Sequence, residues 1–239
     1  SAASERLSRY RPVVGTRGMV SSDDVDASAW GADILRQGGN AIDAAVAVGF
    51  ALAVVLPNAG NIGGGGFMLI HDAKSGKDIA LDFRELAPSL ARRDMFLDAN
   101  GKVIPGGSTS THLAVGVPGT VAGLDLALRK YGTMKLKDVI EPSIKIAEQG
   151  FVVSSHLESL LTASQGQLGR WPSSRAIFFK GDRPLRAGEL LVQKDLAHSL
   201  RLIAQHGPSA FYEGEIAQKI VAEMKQHGGL ISAEDMKSY

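Results

Sequence analysis

The sequence contains no cysteine. That excludes disulfides, thiolate zinc sites and cysteine nucleophiles together, while leaving the compartment open. Aromatic residues are scarce at 6%, and 26 Lys and Arg nearly balance 25 Asp and Glu for a net charge of +1. With no basic stripe and few stacking side chains, nucleic acid is excluded as an expected partner. The longest apolar run, residues 41–56, is interrupted by Asp43 and falls short of the roughly 20 residues of a membrane span, so it reads as a buried helix. The six histidines, at 71, 112, 156, 198, 206 and 227, form no HxxxH or HExxH pair, and no carboxylate cluster completes a metal site in the sequence. They read as surface or capping residues. No G-x-S-x-G elbow occurs, and the glycine run at 63–66 lacks the Lys-Ser/Thr of a phosphate-binding loop. No metal or organic cofactor is implied.

What is abundant is glycine, with 28 residues clustered at 38–39, 63–66 and 106–107. Four in a row, Gly63 to Gly66, lead into the apolar segment Phe67-Met68-Leu69-Ile70. Such density lets backbones approach with no side chain between them. Arg84 follows in Leu81-Asp82-Phe83-Arg84-Glu85-Leu86-Ala87-Pro88. An arginine closing a strand-like segment offers a planar fork suited to a carboxylate, although pairing with Asp82 or Glu85 is the plainer role. The hydroxyls of residues 108–111 read as a polar loop, and Ser1 begins a polar tail rather than the buried strand that an N-terminal nucleophile needs.

The spacing of Val25, Trp30, Ile34 and Leu35 predicts a helix over 24–37 that stops at Gly38-Gly39. Asn40 is the expected N-cap of a second helix ending at Pro57. Residues 67–72 and 78–83 read as a hairpin whose loop uses Gly76. Helices are expected at 118–131 with Pro118 in the first turn, and at 135–148, 155–164, 194–206 and 213–227, with a short strand near 176–179. Residues 1–17 read as a polar N-terminal extension. The opening Ser-Ala-Ala-Ser, without initiator Met, suggests an export signal already removed. Ser232 to Asp235 resembles a capping box with only a stub of helix before Tyr239, so a longer polypeptide is expected.

Taken together, these segments resemble the γ-glutamyltranspeptidase family. The matching pieces occur in order: 17–20, the run 34–47 (ILRQGGNAIDAAVA), 62–68 (IGGGGFM), 82–88 (DFRELAP), 116–123 (GVPGTVAG), 131–133 and 228–231. The resemblance implies an α+β fold, the αββα sandwich of N-terminal-nucleophile hydrolases, of which this chain supplies only part. It implies that residues 1–239 are the N-terminal portion of the large subunit of one γ-glutamyltranspeptidase-like domain. The precursor would cleave itself, and a catalytic Thr would begin a small subunit, with no catalytic residue in this chain. That Thr would attack γ-glutamyl compounds such as glutathione and pass the acyl group to water or an amino acid or peptide acceptor. Arg84 would grip the substrate α-carboxylate, with Asp82 and Glu85 orienting it. The required partner would be the rest of the large subunit plus the small subunit, in the periplasm. The rival reading is a glutaryl-type β-lactam acylase on the same scaffold. A poly-γ-glutamate-processing relative and a non-catalytic carboxylate-binding protein complete the alternatives. One departure, Asn58-Ala59-Gly60-Asn61 before the glycines, is expected to alter packing or the pocket rim.

Overall fold

A computed structural model describes residues 13–239, so most of the expected N-terminal extension lies outside the described residues. Asp24 caps helix α1 (Val25–Arg36) by accepting from the amides of Asp26 and Ala27. Asn40 and Asp43 close a reciprocal capping box on α2 (Ala41–Val55), a helix buried on nearly all sides. Asp43 is the charged residue in that apolar run, and it is fully buried. Its two oxygens accept from the amides of Asn40, Thr133 and Met134 and from the Thr133 hydroxyl, at 2.7 to 3.0 Å. Burial pushes this carboxyl up, but the hydrogen bonds outweigh it and leave its pKa below the ordinary value.

Strands β1 (Phe67–Asp72) and β2 (Lys77–Asp82) pair antiparallel, with Phe67 opposite Asp82 and Asp72 opposite Lys77. Gly76 turns the loop with φ of 65°. Alternation sends Met68, Ile70 and Leu81 toward the helices. The opposite face leaves Phe67 and Leu69 at 65% and 84% exposure.

Helices α3 (Thr120–Tyr131) and α4 (Leu136–Gln149) pack on α2. Pro118 is not in the first turn of α3 as expected. Its carbonyl accepts from the Tyr212 hydroxyl, Gly119 is the cap, and the helix starts at Thr120. Beyond α4, β3 (Phe151–Val152) leads through α5 (Ser155–Ala163), α6 (Gln165–Leu168) and α7 (Pro172–Phe178) to a small hairpin, β4 (Phe179–Lys180) with β5 (Arg183–Pro184). The strand expected at 176–179 is thus mostly helix, opened by Pro172 in its first turn. β6 (Leu190–Leu191) then pairs back on β3. This excursion has its own apolar cluster of Val153, Leu157, Leu161, Leu185 and Leu191.

Helix α8 (Lys194–His206) returns to the main core against α4. The buried Gln193 amide before it donates to the Val54 carbonyl at the end of α2. Short α9 (Ser209–Tyr212), α10 (Glu215–His227) and α11 (Ala233–Lys237) complete the fold. The Ser232–Asp235 capping box expected from the sequence opens α11. Among the described residues no helix is long and apolar enough to cross a membrane.

Candidate functional site

Arg84 sits just past β2, where Phe83 and Gly66 extend the hairpin by one more pair of backbone hydrogen bonds, at 3.0 and 3.2 Å. Three devices hold its backbone. The Arg84 amide donates to Asp82 Oδ1 at 3.0 Å, closing a local turn. Its carbonyl accepts from the Tyr239 hydroxyl at 2.8 Å. Gly65 lies directly against the segment, and a Cβ there would come within 2.6 to 2.8 Å of the Phe83 carbonyl, the Glu85 amide and the Arg84 Cα. The side chain is exposed, and among the described residues both hydrogen bonds of Arg84 are made by its backbone. The plainer role considered above, a guanidinium pairing with Asp82 or Glu85, is therefore not what Asp82 does. Asp82 shapes the turn and leaves the fork open.

The glycine run works by close approach. None of Gly63 to Gly66 has positive φ, so backbone conformation does not require glycine there. Gly65 and Gly66 press on the 83–85 backbone and the Phe83 ring. Gly64 offers its carbonyl to the amides of Gly119 and Thr120, at 2.7 and 3.0 Å, at the start of α3. Asn61 supports the same junction, since its Oδ1 accepts from the Gly64 amide and the Thr120 hydroxyl. Asn61, within the departure noted before the glycines, thus ties the glycine run to the start of α3. On the far side, Leu86 and Val117 bridge, and Gly116 leaves room for the Glu85 side chain.

Tyr239 is the residue here that sequence reasoning missed. It stacks on Tyr212 with centroids 5.8 Å apart, and any side chain at Gly119 would overlap its hydroxyl. Burial, then the charges of Asp82 and Glu85, push its phenol pKa up, which keeps it a hydrogen-bond donor. Asp235 ties α11 to the stretch beyond Arg84 by accepting from the Ser89 amide at 2.8 Å. Burial pushes the Asp235 carboxyl up, but hydrogen bonds from Ser232 and Ser89 prevail and hold its pKa at about 2. A second convergence was also missed: His112, Glu223 and His227 bring their ligand atoms within 4.8 Å of one another.

The Arg84 guanidinium is thus an exposed planar fork at a glycine-cradled strand end within an α+β scaffold, a geometry able to pair with a carboxylate. The same scaffold occurs in the γ-glutamyltranspeptidase of Helicobacter pylori, whose crystal structure matches with a TM-score of 0.93 at 49% identity, over 95% of this chain and 66% of that one. The fold is accordingly that of the N-terminal-nucleophile hydrolase sandwich, of which this chain supplies a part. The γ-glutamyltranspeptidase family model matches residues 27–239, and the chain belongs to that family. The glutathione hydrolase proenzyme of Escherichia coli (strain K12) is 52% identical over 231 residues, 96% of this chain and 40% of that protein. The acylase ACY 1 proenzyme of Pseudomonas sp. (strain SE83) is 40% identical over 235 residues, 96% of this chain and 42% of that protein. The chain thus spans about 40% of the length of the curated relatives it matches.

Proposed function

We propose that this chain is the N-terminal portion of the large subunit of a γ-glutamyltransferase and glutathione hydrolase. The single observation behind this is the open Arg84 fork on a backbone fixed by Asp82, Gly65 and Tyr239. A bidentate guanidinium–carboxylate pair would hold the donor's α-carboxylate and set its γ-carbonyl for attack. The attacking hydroxyl belongs to an N-terminal Thr of a small subunit, released when the proenzyme cleaves itself. The Thr oxygen bonds to the γ-carbonyl carbon, the amine leaves with a proton, and a γ-glutamyl ester remains. Water or an amino-acid acceptor then takes the acyl group. Asp82 supports Arg84 by holding its amide, and Glu85 lines the same corner. The obligatory partners are the rest of the large subunit and the small subunit, in a heterodimer exported to the periplasm.

The acylase reading competes because a glutaryl side chain also presents a carboxylate. The charges at the corner favour the γ-glutamyl donor. Asp82 and Glu85 both act on Tyr239 beside Arg84. Two carboxylates there attract the donor's α-ammonium and repel a glutaryl group that lacks one. The test uses the complete processed enzyme with γ-glutamyl-p-nitroanilide and glutaryl-p-nitroanilide at equal concentration. The γ-glutamyl compound should react far faster. Preference for the glutaryl compound would establish the acylase reading. One-site glutamate binding by the 239-residue chain alone would establish a non-catalytic carboxylate-binding protein.

A further inference from the structure

We propose that His112, Glu223 and His227 form a binding site for one zinc-class divalent ion. Glu223 and His227 lie four residues apart on α10, so both side chains project from one face of the helix. His112 reaches them from a 3-10 turn, His112–Ala114, which is 111 residues earlier in the chain. Its Nε2 lies 3.1 Å from Glu223 Oε1, and His227 Nε2 lies 3.4 Å from the same oxygen. A tetrahedral ion with bonds of about 2.0–2.2 Å places neighbouring ligand atoms roughly 3.3–3.6 Å apart. The His227 edge matches that spacing and the His112 edge is about 0.2 Å shorter, while all three ligand atoms fall within 4.8 Å of one another, so an ion draws the set together by small side-chain rotations.

The arrangement is built into the fold. Gly228 ends α10 in the left-handed conformation with φ of 73°. Gly229 follows in tight quarters, since a Cβ there would overlap Met224 Sδ at 2.2 Å and crowd the His112 carbonyl and Cβ at 3.1 Å. This close approach presses the His112 segment onto the end of α10. The two imidazoles stack at 4.7 Å with planes 21° apart, so sharing one ion requires one ring to turn toward the other, and Trp171 closes edge-on against both at 5.0 and 5.4 Å. The His112 side chain is only 14% exposed. A cleft lined by Thr109, Ser110, Gln167 and Ser173 leaves one side open, where water completes a fourth position.

Donor chemistry selects the ion. Two neutral imidazoles and one carboxylate suit zinc, cobalt or nickel, whereas calcium and magnesium require more oxygen ligands than the cluster offers. Binding replaces the Nε2 protons that now face Glu223, either by release or by a shift to the Nδ1–H tautomer.

The experiment uses the complete, metal-stripped enzyme without an affinity tag, titrated with zinc chloride and with cobalt chloride at pH 7.5. The proposal expects one zinc per molecule by calorimetry, a visible cobalt spectrum of tetrahedral intensity, and a zinc-dependent rise in Tm. Glu223→Gln and His227→Asn should each weaken zinc binding about tenfold or more and remove the Tm rise. His206→Asn, on an exposed residue outside the cluster, should change neither. Absence of stoichiometric binding overturns the proposal. So does binding that survives His227→Asn, a variant at the last residue of α10 that leaves the core untouched.

Discussion

Arg84 and Asp43 show how burial decides the work of a charged side chain. Asp43 is fully enclosed and spends its charge on four donors that join the starts of α2 and α4. Asp43→Asn keeps the shape but places an NH2 where one oxygen accepts. A loss of about 2–4 kcal/mol in unfolding free energy is expected by chemical denaturation. Arg84 is exposed and makes no such structural bond with its side chain, so changing it should leave stability within about 0.5 kcal/mol. Tyr239→Phe isolates the support of Arg84. It retains the stack on Tyr212 and removes the hydroxyl that donates to the Arg84 carbonyl. The expected result is a KM for γ-glutamyl donors raised about threefold to tenfold with little change in kcat, equivalent to about 1 kcal/mol. The motif around Arg84 was legible because it is continuous in sequence. The contact of Tyr239 was not, since the hydrogen bond joins residues 155 apart.

Among the elements, the glycine run separates two positions that look alike in sequence. Gly63 has nothing within 4 Å of where a Cβ would stand, whereas Gly65 would meet three backbone atoms. Gly63→Ala should therefore be nearly silent. Gly65→Ala should displace the 83–85 segment, costing about 2 kcal/mol or more of stability and most donor binding, measured by thermal unfolding and KM. Equal effects at the two sites would contradict the close-approach account. Helical periodicity and cap residues were readable: residues 194–206 coincide with α8, and Asn40 and Ser232 cap where expected. The two-residue strands β3 to β6 were not, because a period of two needs more residues than they have. Pro118 misled for a different reason. Tyr212 and Gly64 engage the residues before the helix and delay its start.

At the scale of the molecule, two buried carboxyls with depressed pKa values, Asp43 and Asp235, contribute to the acid limit of stability. The folded pKa of Asp235 is about 2 and that of Asp43 is also lowered, while an unfolded Asp titrates near 3.9. Their contribution is complete above about pH 4 to 5 and is lost as pH falls toward 2. Urea midpoints should fall across that window in the wild-type protein, and less steeply in Asp235→Asn, which lacks the titrating group. The exposed face of the β1–β2 hairpin, with Phe67 and Leu69, agrees with a chain that supplies part of a larger sandwich.

Steady-state kinetics of Arg84→Lys and Arg84→Gln in the complete enzyme decide whether Arg84 holds the donor carboxylate. Lys keeps the charge but loses the fork, so KM for γ-glutamyl-p-nitroanilide should rise about tenfold or more, and further for Gln, with unfolding free energy unchanged. Unaltered KM in two folded, processed variants would contradict the account.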